Sequence, residues 1–79
     1  MTDYVAIIRK VEGTDYWVDV PDIPGCISNG KTIEEAKVNY REALALHMEY
    51  MTPTQTPRAR SELTEEEFED AVETYILSL

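Results

Sequence analysis

Cysteine and histidine occur once each in this 79-residue chain, as Cys26 and His47. A single cysteine excludes an intramolecular disulfide, and one Cys with one His cannot supply the three or four ligands of a metal site with recognisable spacing. A cysteine-nucleophile scheme would have to use this pair. Cys26 lies in a short apolar run and His47 on the apolar stripe of a predicted helix, which are the positions of packed residues. No catalytic residue, metal or cofactor is therefore assigned. Cations are scarce as well: 7 Lys and Arg face 16 Asp and Glu, for a net charge of -9. Such a field repels phosphate backbones, so DNA binding by this chain alone is not expected, and it favours a cationic protein partner. No apolar run reaches the roughly 20 residues of a membrane-spanning helix, and no signal-peptide pattern opens the chain. The expectation is a soluble, cytoplasmic protein with no membrane contact. The length suits one domain over residues 1–79, with no separate DNA-binding domain. A domain this small buries only about 60% of its unfolded surface, so a homo-oligomer that covers more apolar area is expected.

What is present reads in order. Tyr4 to Val11 is rich in β-branched and aromatic residues, Glu12-Gly13-Thr14-Asp15 carries turn chemistry, and Tyr16 to Val20 is a second such run, which together predict a hairpin. Tyr16, Val18 and Val20 share one face of the second strand and are assigned to the core, with Trp17 and Asp19 on the other. In the first strand both faces are apolar, which points to a central strand or a second covered face without choosing the buried side.

The stretch Val18 to Ala36 organises the rest. Pro21 and Pro24 fix φ, remove donors and push Val20 and Ile23 into extended conformations, so the second strand is predicted to stop near Val20. Gly25 and Asn29-Gly30 offer positive φ on either side of Cys26-Ile27-Ser28, read as a short third strand. Thr32 with Glu35 forms a capping box, so a helix starts at Thr32 or Ile33. Its apolar stripe is Ile33, Ala36, Tyr40, Ala43, Leu44, His47 and Met51, and Pro53 ends it. Thr52 to Ser61 reads as an irregular connector that wraps the domain. Thr64 with Glu67 forms a second capping box, with Leu63, Phe68, Ala71 and Val72 spaced for a helix of two to three turns. Residues 74–79 are β-prone and read either as a fourth strand or as the continuation of that helix. The fold class is α+β, with three antiparallel strands, one long helix on one face, a short helix and a fourth strand.

The ordered elements Pro21-Asp22-Ile23-Pro24-Gly25-Cys26, Ser28, Gly30, Thr32 and Glu34-Glu35-Ala36, followed by Ala43-Leu44-Ala45-Leu46-His47-Met48, resemble the signature of the HicB antitoxin family from Tyr4 to about Pro57. The resemblance implies a reduced ribonuclease H-like fold and a binding module that neutralises a small basic toxin, HicA, an mRNA-cleaving ribonuclease, by covering its RNA-binding surface. Longer members carry a C-terminal DNA-binding segment, which nothing here resembles. Partner contact is assigned to Trp17 and to the outward carboxylates Asp19, Asp22, Glu34 and Glu35; structural roles fall to Pro21, Pro24, Gly25, Gly30 and Thr32. Trp17 has two readings, an outer-face aromatic covered by the terminal segment or an interface anchor. Two other functions remain open, a regulatory or structural domain with a different partner, and a weak metal-dependent nuclease built on Asp15, Asp19 and Asp22. The nuclease is disfavoured because Tyr4 to Val11 carries no acidic residue, whereas two-metal chemistry needs carboxylates converging from adjacent central strands.

Overall fold

The computed structural model describes residues 3–50 and 58–78. The expectations for Met51, for Pro53 and the rest of 52–57, and for Leu79 lie outside them. Four antiparallel strands, β1 (Asp3–Arg9), β2 (Tyr16–Asp19), β3 (Ile27–Gly30) and β4 (Ala71–Ser78), form one sheet in the order β3-β2-β1-β4. One helix, α1 (Ile33–Tyr50), crosses the sheet between β3 and β4 in sequence.

The hairpin forms as its composition dictates, with Ile8 opposite Val18 and the Thr14 amide donating to the Val11 carbonyl at 3.0 Å across the turn. Period-two alternation then divides β1. Tyr4, Ala6 and Ile8 enter the core under the helix with Val18, Val20, Ala36, Tyr40, Leu44 and Leu77, and Tyr16 packs at its margin. Val5 and Ile7 point the other way and are buried too, so β1 is central with both faces covered. Each fully buried side chain of this size contributes roughly 1.5–3 kcal/mol, which makes the sandwich of α1 on β1–β3 the main source of stability.

The pivot stretch shifts by a residue or so from its predicted bounds: β2 ends at Asp19, and β3 runs from Ile27 to Gly30. Gly25 takes φ +88°, as its turn requires. Gly30 does not take positive φ; it is glycine for another reason. A Cβ there would lie 2.5 Å from the Ala36 amide nitrogen and 2.8 Å from the Glu35 carbonyl carbon, so its absence is what lets the first turn of α1 press onto β3. The helix starts at Ile33, with the Glu35 amide donating to Thr32 Oγ1 at 3.1 Å. The reciprocal bond reaches one residue further back than predicted, from the Lys31 amide to Glu35 Oε1 at 3.4 Å.

The second half departs further from expectation. The connector contains a short 3-10 turn at Arg60–Glu62, and the predicted second helix is a single 3-10 turn, Glu65–Phe68. Only half of its capping box forms: the Thr64 amide donates to Glu67 Oε2 at 2.9 Å, while the Glu67 amide bonds the Thr64 carbonyl instead of the hydroxyl. The helical path ends at Glu69, whose backbone turns extended at φ -55° and ψ 131°, and the Arg9 guanidinium holds it there by donating to the carbonyl oxygens of Glu67 and Glu69, each at 2.6 Å. Asp70 then turns the chain at φ 60°, a conformation aspartate tolerates better than most residues. Ala71 and Val72 thus begin β4, and the fourth strand supersedes the continuous helix. A bulge at Val72 shifts the register between Ile8–Glu73 and Arg9–Ala71.

Candidate partner-binding surface

Pro21 and Pro24 bracket a tight turn, closed by the Ile23 amide donating to the Val20 carbonyl at 3.0 Å, that turns the Asp22 side chain inward. This corrects the expectation of an outward carboxylate: Asp22 is only 2% exposed. Its oxygens accept the Arg58 backbone amide at 2.9 Å and the Arg58 Nε at 2.8 Å, and the same guanidinium reaches Glu67 Oε1 at 2.8 Å. The two carboxylates hold Arg58 above its ordinary pKa, with Asp22 as the larger influence. Glu67 lies below its ordinary value, first through the Thr64 amide and then through Arg58. Arg9 carries the network onward, joining Asp19 Oδ1 at 2.6 Å while it grips the Glu67 and Glu69 carbonyls. The segment from Arg58 to Asp70 is thereby strapped to the end of the hairpin.

Beside that strap, on the sheet face opposite α1, lies an open depression of about 290 Å³ lined by Arg9, Trp17, Asp19, Ile27, Glu69 and Asp70. Trp17 is half-buried at its floor and Ile27 is 68% exposed at its side. Among the described residues, the Glu69 and Asp70 carboxylates make no ion pair, and Glu65 and Glu66 continue the same exposed acidic run. Asp19 is different, because Arg9 already neutralises it.

The assigned contact residues do not form one patch. Trp17 and Asp19 share the outer face, and Asp22 is locked inside the strap. Glu34 sits on α1 beside Tyr75, Ile76 and Leu77 of β4, and Glu35 is occupied at the helix cap. Sequence reasoning misses Ile27, Glu69 and Asp70 as neighbours of Trp17; the acidic run after Thr64 is the available signal, but its spacing suits a helix.

Cys26 and Tyr40 are buried side by side. Burial raises the Cys26 thiol pKa despite the opposing influence of Tyr40, which disfavours a reactive thiolate. Burial, then the neighbouring Cys26, raises Tyr40 as well, and its hydroxyl makes no well-formed hydrogen bond. His47 packs near Gly25, its Cε1 lying 3.8 Å from where a Cβ on that glycine would stand. Among the described residues no group of three or more His, Cys, Asp or Glu side chains is placed to hold a metal ion, and no helix is long and apolar enough to cross a membrane.

The four-stranded sheet with its single helix is shared with solved proteins. The N-terminal domain of the Burkholderia pseudomallei antitoxin HicB superposes with a TM-score of 0.78 at 33% identity, covering 99% of this chain and 98% of that domain. A second structure of the same antitoxin gives 0.80 at 34% identity, covering all of this chain and 64% of that one. An uncharacterised protein of Haemophilus phage HP1 is 48% identical over 48 residues, which is 61% of this chain but 35% of the phage protein. A UPF0150 protein of Thermoplasma acidophilum is 46% identical over 46 residues, or 58% of this chain and 67% of that protein. The family described as HicB-like antitoxin of bacterial toxin-antitoxin systems matches residues 4–78. With nearly the whole described chain matched and the fold shared, the chain belongs to the HicB-like antitoxin family.

Proposed function

We propose that this chain neutralises a small, basic, HicA-like mRNA-cleaving ribonuclease by covering its RNA-binding surface, and that it does so by binding, without catalysis. The observation that carries the reading is the Trp17 depression: the Trp17 ring and the exposed Ile27 beside the carboxylates of Glu69 and Asp70, on a chain of net charge -9. A surface built to hold RNA phosphates must present lysine and arginine, and that rim is their complement. Trp17 acts as the anchor and governs dissociation, while the rim carboxylates mainly speed encounter. Asp19 contributes after exchanging or sharing its Arg9 partner. Asp22 supports the surface from below, and Glu34 and Glu35, on α1 across the sheet, would serve only a second contact. The binding-only reading is supported by carboxylates already engaged by Arg9 and Arg58. DNA recognition is not expected of this chain by itself, and the protein works inside the cell, where its target is made.

The test is the association rate of the chain with a small basic HicA-like ribonuclease, measured against ionic strength. The wild-type rate should fall steeply with salt, and Glu69→Lys should slow association several-fold while Trp17→Ala accelerates dissociation. A rate independent of salt, with both variants binding like the parent, would remove this surface from the mechanism.

A further inference from the structure

The segment that carries Glu69 and Asp70 has little apolar anchorage. From Arg58 to Asp70 no residue is buried; Leu63 and Phe68 are half-buried at most, and neither 3-10 turn places a side chain in the core. The backbone hydrogen bonds within the segment join residues three apart, so they fix its local shape and not where it lies. Polar contacts with the rest of the chain place it. Arg58 meets Asp22 at one end, and at the other the Lys10 amide donates to the Asp70 carbonyl at 3.0 Å while Arg9 grips the backbone just before it.

Arg9 meets every part of the candidate surface. Its register partner on β2 is Trp17, and on β4 it is Ala71, the first strand residue after Asp70. Its Nε donates to Asp19 Oδ1, its Nη1 to the Glu69 carbonyl and its Nη2 to the Glu67 carbonyl, each at 2.6 Å. The side chain is only 14% exposed, so its donors are spent inside the chain and its charge is offset by Asp19. A planar guanidinium can hold acceptors on two sides at once, whereas a lysine ammonium is a point charge that cannot span them. Holding two carbonyls two residues apart fixes the backbone at Glu69, and with it the direction in which the Glu69 and Asp70 side chains leave the strap.

We propose that Arg9 is the positioning residue of the partner-binding surface: its fork fixes the strap to the hairpin, so that Glu69 and Asp70 stand beside Trp17 before a partner arrives. The inference rests on the reading of the Trp17 depression as that surface. Without the fork, the rim carboxylates must be ordered during binding, and the entropy lost in ordering them weakens the complex. Asp19 is released at the same time, so what is lost is the arrangement of the rim and not its negative charge.

The affinity of the full chain for a small basic HicA-like ribonuclease, measured at fixed ionic strength, tests this with Arg9→Lys and Arg9→Gln. Arg9→Lys keeps the parent's charge, while Arg9→Gln removes one cation and takes the net charge from -9 to -10. Charge alone therefore predicts no change for the first and tighter binding for the second. The positioning role predicts that both weaken binding roughly tenfold with an unchanged circular dichroism spectrum. In a chain that already carries Glu69→Gln and Asp70→Asn, the same substitutions should change affinity by less than about twofold, because no charged rim remains to be positioned. In the free chain, backbone order parameters at Glu69 and Asp70 should fall from about 0.85 in the parent to below about 0.6 in both variants. Parental affinity of Arg9→Lys, tighter binding by Arg9→Gln or unchanged order parameters would overturn the proposal. So would an equal loss with and without the rim carboxylates, which is what a merely weakened fold gives. Trp17→Ala binding like the parent would instead remove the surface itself, and this proposal with it.

Discussion

Replacing Gly30 with alanine tests how closely α1 sits on the sheet. The added methyl would fall 2.5 Å from the Ala36 nitrogen, 2.8 Å from the Glu35 carbonyl carbon and 2.9 Å from Ala36 Cα. Favourable separations begin at about 3.5 Å, so the first turn of the helix must retreat by close to 1 Å. These are backbone atoms, and no side-chain rotation relieves them. Overpacking of this kind costs roughly 1–3 kcal/mol. Alanine regains about 0.5–1 kcal/mol by restricting the unfolded chain. The net loss should therefore be near 1–2 kcal/mol, out of a total stability of about 4–12 kcal/mol for a domain of this length. Urea unfolding followed by Trp17 fluorescence reads it directly, and the midpoint should fall with an unchanged slope. A Gly30→Ala midpoint equal to the parent's would refute the close approach of α1 to β3.

Thr32→Ala should cost about 1 kcal/mol by removing the acceptor of the Glu35 amide, and Glu35→Ala less, because its 3.4 Å bond to Lys31 is the weaker half of the cap; equal denaturant midpoints for Thr32→Ala and the parent would place the helix start elsewhere. The strap should loosen in acid. Glu67 has a folded pKa below its ordinary 4.5, so its contribution is complete above that value and is lost as pH falls through the lowered one. A pH titration followed by NMR should show Glu67 titrating below 4.5 with the Thr64 amide shifting in step, and a midpoint at or above 4.5 would contradict the bonding described.

Local chemistry was legible in the sequence wherever neighbours in the chain determine the outcome. The hairpin turn, the proline-braced loop and the Thr32–Glu35 cap follow from residues within a few positions of one another. The long helix follows from a single periodicity. Resemblance added the family, which the short pattern alone could not specify. The features that escaped depend on distant partners. Asp22 looked outward because nothing nearby announces Arg58, 36 positions later, as the cation that turns it inward. Thr64 to Val72 read as helix because its pattern suits one, and only Arg9, some 58 residues earlier, shows where the Glu67 carbonyl is used. Asp70 supplied a left-handed turn where neither glycine nor proline marked a break. The candidate surface was legible in Trp17 and unreadable in Glu69 and Asp70 for the same reason, since the strap that carries them beside Trp17 is set by these long-range ion pairs.

The most direct test of the central claim is RNA cleavage by a small basic HicA-like ribonuclease, titrated with this chain. The wild type should abolish cleavage near stoichiometric ratio, and Trp17→Ala should weaken inhibition by about 2–4 kcal/mol, roughly 30- to 1000-fold, as expected of a buried aromatic anchor. Cleavage that continues undiminished in excess wild-type chain would contradict the antitoxin account, whereas full inhibition by Trp17→Ala at parental potency would contradict the surface assigned to it.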